Sequence, residues 1–186
     1  MGVYLMNIDR RAILAMGLGM LLPVPAFASP AAEMEALLSE SPWVGDGEPS
    51  RRHVYVVFAP WCPVCKQLFQ RTRSTRGGVQ LRWIAGGNRD EHAINQNLTV
   101  VSNRSLEALA RVFRQEPVGD LTKDGPAVLR LTQSEMAIKQ MAKRINFVGY
   151  PTLIFADGQG ELKSIAGVPA DLDAVFAQVG AWGKTE

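Results

Sequence analysis

Two cysteines are present in the chain, and they stand three apart in Trp61-Cys62-Pro63-Val64-Cys65. A pair at this spacing can close a short disulfide and reopen it, which is the chemistry of a dithiol redox centre. The apolar run Val54-Tyr55-Val56-Val57-Phe58 precedes it and reads as a buried strand; Lys66-Gln67-Leu68-Phe69-Gln70-Arg71 follows and reads as helix. Cys62 therefore falls at a strand-to-helix junction, where unpaired backbone N–H groups and the helix dipole favour a thiolate. Pro63 suits the first helical position, since its missing N–H would have no partner there. Pro63 and Val64 bring no charge, so activation rests on the helix terminus, with Lys66 the nearest cation. Trp61 is placed to shield the thiolate, to contact a substrate, or simply to pack.

Other uses of the pair fit less well. A structural zinc site needs four ligands, and the remaining candidates, His53 and His92, are not at ligand spacing from the motif. Copper delivery calls for Met or His beside the thiols, and none flanks them. A purely structural disulfide across three residues closes a tiny loop and stabilises little. The redox-active reading stands ahead of a structural disulfide and of a metal site.

The first residues read as an address. Arg10-Arg11 precede the apolar run Ala12 to Leu22, then Pro23 and Pro25, then the small-x-small sequence Ala26-Phe27-Ala28. The run is short for a membrane span and has the flanks of a signal peptide, so residues 1–28 are expected to be removed. An uncleaved anchor is the alternative. Asp9-Arg10-Arg11-Ala12-Ile13-Leu14 also resembles a twin-arginine signal, against the simpler reading of a positive n-region. Either route leads to the periplasm, an oxidising compartment in which a CxxC pair works as a thiol–disulfide catalyst.

The remaining ~158 residues suit one domain with a short lead. Twenty Lys and Arg against eighteen Asp and Glu leave a formal net charge of +2, which points to neither nucleic acid nor an anionic membrane. Residues 29–50 read as a helix over Ala31–Leu38, followed by a Pro-, Gly- and Ser-rich loop over Ser41–Ser50, with the domain running over 51–186. A second, half-buried strand is expected over Val79–Ala85, completing a right-handed βαβ unit. Asn88–Asn97 is polar and reads as loop, with His92 solvated in it; His53 begins a strand and reads as a surface residue. Helix returns after Ser105 as N-cap, with Leu106, Leu109, Ala110 and Phe113 on one face. Thr132-Gln133-Ser134-Glu135 has the form of a capping box opening a helix to Ile145, with Met136, Met141 and Ile145 inward. These helices form an insertion over about 88–146. Tyr150-Pro151-Thr152 then opens a strand to Ala156, Asp157-Gly158 and Gly160 turn it into a hairpin, and an amphipathic helix from Ala170 buries Leu172, Val175, Phe176 and Val179.

This α/β order, a βαβ unit, a helical insertion, a β-hairpin and a C-terminal helix, resembles the thioredoxin fold. Val57-Phe58-Ala59-Pro60-Trp61-Cys62 is similar to the run into the thioredoxin active site. Phe58-Ala59 with Cys62-Pro63-Val64-Cys65-Lys66-Gln67 is more similar still to the periplasmic DsbC/DsbG disulfide isomerases, a resemblance covering residues 51–180. It implies that Cys62 attacks, that Cys65 resolves, that Pro151 is the cis-proline facing the active site, and that Tyr150 offers its backbone to substrate. Gly149-Tyr150-Pro151-Thr152 is also similar to the equivalent loop of eukaryotic disulfide isomerases. It further implies exported protein substrates bearing disulfides or thiols, a membrane thiol electron donor of the DsbD type, and no cofactor or metal beyond the redox-active Cys62–Cys65 disulfide. Two departures stand out. Only some twenty residues separate the cleavage site from the first strand, where those isomerases carry a dimerisation domain, so a monomer is expected, or a dimer formed only through the short Ala31–Leu38 helix; and Tyr rather than Thr precedes the proline. The leading function is a periplasmic disulfide reductase or isomerase. A dithiol oxidase and a non-catalytic binding or assembly factor are the alternatives, the last opposed by the intact Cys62, Cys65 and Pro151.

Overall fold

The computed structural model describes residues 28–73 and 77–183; the expected export signal lies outside them, apart from Ala28. In chain order the elements are α1 (Pro30–Ser39), β1 (Trp43–Asp46), β2 (His53–Phe58), α2 (Pro63–Arg71), β3 (Gln80–Ala85), α3 (Glu91–Asn103), α4 (Leu106–Phe113), α5 (Gly125–Ala142), β4 (Thr152–Ala156), β5 (Leu162–Ala166) and α6 (Leu172–Gln178). All six residues of β2 are buried. A strand covered on both faces needs no polar alternation, and this is why the run is continuously apolar. β2 lies at the centre of a five-stranded sheet ordered β1-β3-β2-β4-β5. It pairs parallel with β3, Val56 opposite Trp83, and antiparallel with β4, Val56 opposite Leu153. β1 and β5 close the two edges, each antiparallel to its neighbour.

Four rings tie the layers together at the sheet's centre. Phe58 (β2), Phe69 (α2), Trp83 (β3) and Phe113 (α4) stand with centroids 5.0–5.9 Å apart in tilted and edge-to-face pairs. Such pairs contribute about 0.5–1.5 kcal/mol each beyond their buried area. Helix starts are set by side-chain caps. Ser29, Cys62, Asp90, Ser105, Asp124 and Asp171 each accept the N–H of the residue three along.

Several elements depart from the sequence expectation. Trp43–Asp46, read as loop, is edge strand β1: Asp46 accepts from Trp83 Nε1 (3.3 Å) and pairs with Arg73, which holds a polar, Gly-containing segment on the sheet. Val79–Ala85 is buried on both faces rather than alternating, with only Arg82 half-buried in β3. Most of Asn88–Asn97 is helical, capped by Asp90, and Asn95, Gln96 and Asn97 are buried although polar because their amides bind loop backbone and side chains. His92 is exposed, but on α3. The Thr132 box lies within α5, which starts earlier at the Asp124 cap with Pro126 in its first turn; Thr132 Oγ1 instead donates to Val128 O. Met136 consequently faces outward at 57% exposure, while Met141 is buried as expected. His53 is buried, not superficial: Nε2 lies 3.1 Å from Glu35, Nδ1 lies 3.1 Å from Ser50 O, and the ring stacks on Trp182.

Helix α1 is part of the packed structure. Met34 and Leu38 are fully buried, and Glu35 reaches His53 and Arg82 in the sheet. Replacing a buried Met by Ala removes apolar burial and leaves a cavity, so Met34→Ala should lower stability to urea by about 2–5 kcal/mol. Leu37→Ala, at a half-buried position of the same helix, should cost far less. Equal losses would show that α1 is not seated as described.

Candidate functional site

The site forms where β2 ends. Ala59, Pro60 and Trp61 turn the chain, closed by Cys62 N–H donating to Ala59 O at 3.1 Å. α2 starts at once, with Pro63 in its first turn and Cys62 as N-cap at φ −83°, ψ 115°. The capping acceptor is sulfur: Cys65 N–H donates to Cys62 Sγ at 3.3 Å. Both cysteines are thiols here, Cys62 with 6% exposure and Cys65 with none. Burial pushes the Cys65 thiol up, against the pull of the Ala59 backbone, and the Cys62 sulfur beside it adds to the rise. The two sulfurs therefore differ in kind: one sits at a helix terminus with a little access, the other is enclosed and held neutral.

The opposite wall comes from the far end of the chain. Tyr150–Pro151 is a cis peptide, and the Cys62 thiol donates to Tyr150 O at 3.4 Å. Pro151 is buried at the mouth of β4, and Thr152 Oγ1 donates to Gly149 O at 2.6 Å just before it. The Tyr150 ring meets Trp61 edge-on at 6.3 Å and Phe147 at 5.4 Å. Burial, with the Glu135 carboxylate adding to it, pushes the Tyr150 phenol up. The structure thus brings together Trp61, Cys62, Cys65, Tyr150 and Pro151. Pro63 and Val64 lie on the outer side with Val64 39% exposed, available to contact but not part of the wall.

Trp61 is anchored rather than merely packed. Its Nε1 donates to Gly87 O at 2.6 Å, and the Arg89 guanidinium lies 4.8 Å from its ring. Gly87, two residues past the end of β3, has φ +72°; a Cβ there would stand 2.7 Å from Ala59 Cβ and 3.2 Å from the Tyr150 ring. Glycine is needed at this point for both conformation and closeness. Phe147 was also missed, being one apolar residue in an irregular stretch. Val148 beside it is the most exposed large apolar residue described, at 67%. Among the described residues no group of three or more His, Cys, Asp and Glu side chains stands close enough to hold a metal ion.

No protein-family model and no curated protein matches the sequence. Solved structures do match in shape. A periplasmic thioredoxin-like protein from Salmonella enterica serovar Typhimurium aligns with a TM-score of 0.56 at 14% identity, over 78% of this chain and 94% of that one. The catalytic domain of Proteus mirabilis ScsC aligns with a TM-score of 0.54 at 13% identity, over 81% and 97%. A disulfide interchange protein from Neisseria gonorrhoeae aligns with a TM-score of 0.51 at 19% identity, over 73% and 93%. At these identities the likeness is one of architecture, and with the strand order and the helices inserted between β3 and β4 it establishes a thioredoxin-like fold.

Proposed function

We propose that the chain is an exported thiol–disulfide oxidoreductase acting on exported proteins as a reductase or isomerase, with Cys62 as nucleophile and Cys65 as resolving thiol. The observation that carries this reading is the Cys62 sulfur standing as N-cap of α2, facing the Tyr150 carbonyl. The structural neighbours described as periplasmic and as a disulfide interchange protein support it, as does the signal-like sequence of residues 1–28.

In the reducing direction the Cys62 thiolate attacks one sulfur of a substrate disulfide. The substrate S–S bond breaks, an S–S bond to Cys62 forms, and the departing thiolate takes a proton. Cys65 then loses its proton and attacks Cys62 Sγ, breaking the mixed disulfide and releasing the second substrate thiol. The substrate gains two electrons and two protons, and Cys62–Cys65 is left as a disulfide. Run backwards, the same steps oxidise a dithiol. A deprotonated Cys62 has no hydrogen to give Tyr150 O, so that carbonyl becomes free to accept an N–H from an extended substrate. Trp61 lies beside it as a second contact. Net reduction requires electrons from outside, for which a membrane thiol donor of the DsbD type is the fitting partner. Helix α1 spends Met34 and Leu38 on the domain's own core and leaves little apolar seam for self-association, which supports a monomer.

Three measurements test this reading. Cys65→Ala should accumulate mixed disulfides with exported proteins, while Cys62→Ala should accumulate none and lose turnover; trapping through Cys65 instead would overturn the assignment. A couple poised well above the glutathione range would move the reading to an oxidase. Sedimentation of the chain from residue 29 should give a monomer, and a tight micromolar dimer would contradict that part of the proposal.

The Cys65 shift also has a consequence for stability. Folding raises this thiol above the unfolded value of about 8.5. The unfolded state therefore sheds the proton first, and the stabilisation is complete below pH 8.5 and is lost as pH rises. The reduced protein should lose about 1 kcal/mol between pH 8.5 and 9.5 through this group, and Cys65→Ala should flatten that slope in urea melts.

A further inference from the structure

We infer that Gln115, reached through Gln96, is a positioning residue for Cys62: its side-chain amide clamps the turn that carries the nucleophile. This inference rests on the Cys62–Cys65 redox reading above. Gln115 follows α4 and holds a left-handed backbone, φ +59°, which is rare for a side-chain-bearing residue. Its Nε2 donates to Pro60 O at 3.1 Å and to Val112 O at 3.0 Å, and its Oε1 accepts from Gln96 Nε2 at 3.3 Å. Pro60 lies in the turn closed by the bond from Cys62 N–H to Ala59 O. Pro60 has no N–H of its own to fix it, so its carbonyl is the handle by which the turn can be held.

Gln96 is fully buried and its Oε1 has no protein partner among the described residues. A buried amide of this kind is costly unless the contact it does make is needed. Its neighbours on α3 make the comparison. Asn97 Nδ2 donates to Gly86 O at 2.9 Å and to Asn88 at 2.7 Å, steadying the loop whose Gly87 O holds Trp61. Asn95 Oδ1 accepts from Leu121 N–H at 2.8 Å, six residues beyond Gln115 in the same α4–α5 connection. Adjacent buried amides on one helix thus hold the loop after β3 at Gly86 and two points of the α4–α5 connection, Gln115 and Leu121.

The clamp acts on the redox couple through geometry. Closing the disulfide requires Cys62 Sγ to meet Cys65 Sγ, and a held turn raises the effective concentration of one thiol at the other. Releasing the Pro60 carbonyl should let the turn wander and favour the dithiol.

The test equilibrates purified protein with glutathione redox buffer and reads the fraction of Cys62–Cys65 disulfide, alongside thermal melts. Gln115→Met keeps length and adds no charge while removing donor and acceptor; Gln96→Met breaks the same chain from its buried end. Each should shift the equilibrium towards dithiol by about 3-fold or more, on the scale of one hydrogen bond. The double variant should shift it by no more than the larger single change, because the two act as one unit. Asn95→Ala, which loosens the same connection at Leu121 without removing the bond to Pro60, should lower the melting temperature and leave the equilibrium where it was. An unchanged equilibrium in Gln115→Met, a shift towards disulfide, or an equal shift in Asn95→Ala overturns the inference. Gln115 as a whole is exposed, so its variant is expected to fold even if Gln96→Met does not. Absence of any reversible disulfide in the unmodified protein would instead defeat the redox reading itself.

Discussion

A sulfur atom serving as the N-cap of α2 is the constraint around which the molecule is arranged. Cys62 Sγ receives an N–H from Cys65 and gives its own proton to Tyr150 O, at 3.3 and 3.4 Å, from residues three and eighty-eight positions away. The first contact is local and follows from a helix starting at Pro63. The second is long-range and exists only if β2 and β4 pair in one register, Val57 opposite Thr152. A slip of one residue would turn every β4 side chain to the other face. The fully buried β2 resists such a slip, since both of its faces are matched to neighbours.

α2 has nine residues, too few to persist alone in water. Its start is held at Cys62 because its body is packed: Cys65 and Leu68 are fully enclosed and Phe69 joins the ring cluster with Trp83 and Phe113. The same burial that seats the helix keeps Cys65 neutral, so packing and chemical asymmetry have one cause. Pro63 and Val64, lying outward between the cysteines, leave Cys62 the sulfur with access.

What could be read from the sequence was what local patterns carry. β2, the CxxC junction, the Ser105 cap, the β4–β5 hairpin and the buried face of α6 all declare themselves by periodicity or by turn and cap residues, and the site residues Cys62, Cys65 and Pro151 belong to such patterns. The failures share a cause as well. β1, most of α3 and the burial of His53 depend on polar groups finding partners far along the chain: Asp46 with Trp83, Asn97 with Gly86, His53 with Glu35. In the Thr132 box two valid local signals competed, and the Asp124 cap prevailed because Pro126 fits a first turn. Gly87 and Gln115 gave no local sign of their roles, since each touches the site through a loop 26 or 55 residues removed from its partner.

The insertion of α3, α4 and α5 between β3 and β4 then has a physical logic. Loop-closure entropy grows only with the logarithm of length, about 0.6 kcal/mol per doubling, so inserted helices that pack on themselves and on the sheet cost the β2–β4 pairing little. Its two ends are fixed in place by that sheet: Gly86 N–H donates to Phe58 O at 2.9 Å on entry, and Tyr150 stands over Cys62 on exit. Whatever is inserted between those ends has to lie beside the two cysteines. The insertion can therefore supply the floor under Trp61, the ring of Phe147 and the amides of α3 without altering the strand-to-helix junction that places Cys62 at the start of α2. The placement of the two sulfurs is set by the junction, and what surrounds them is set by a segment free to differ.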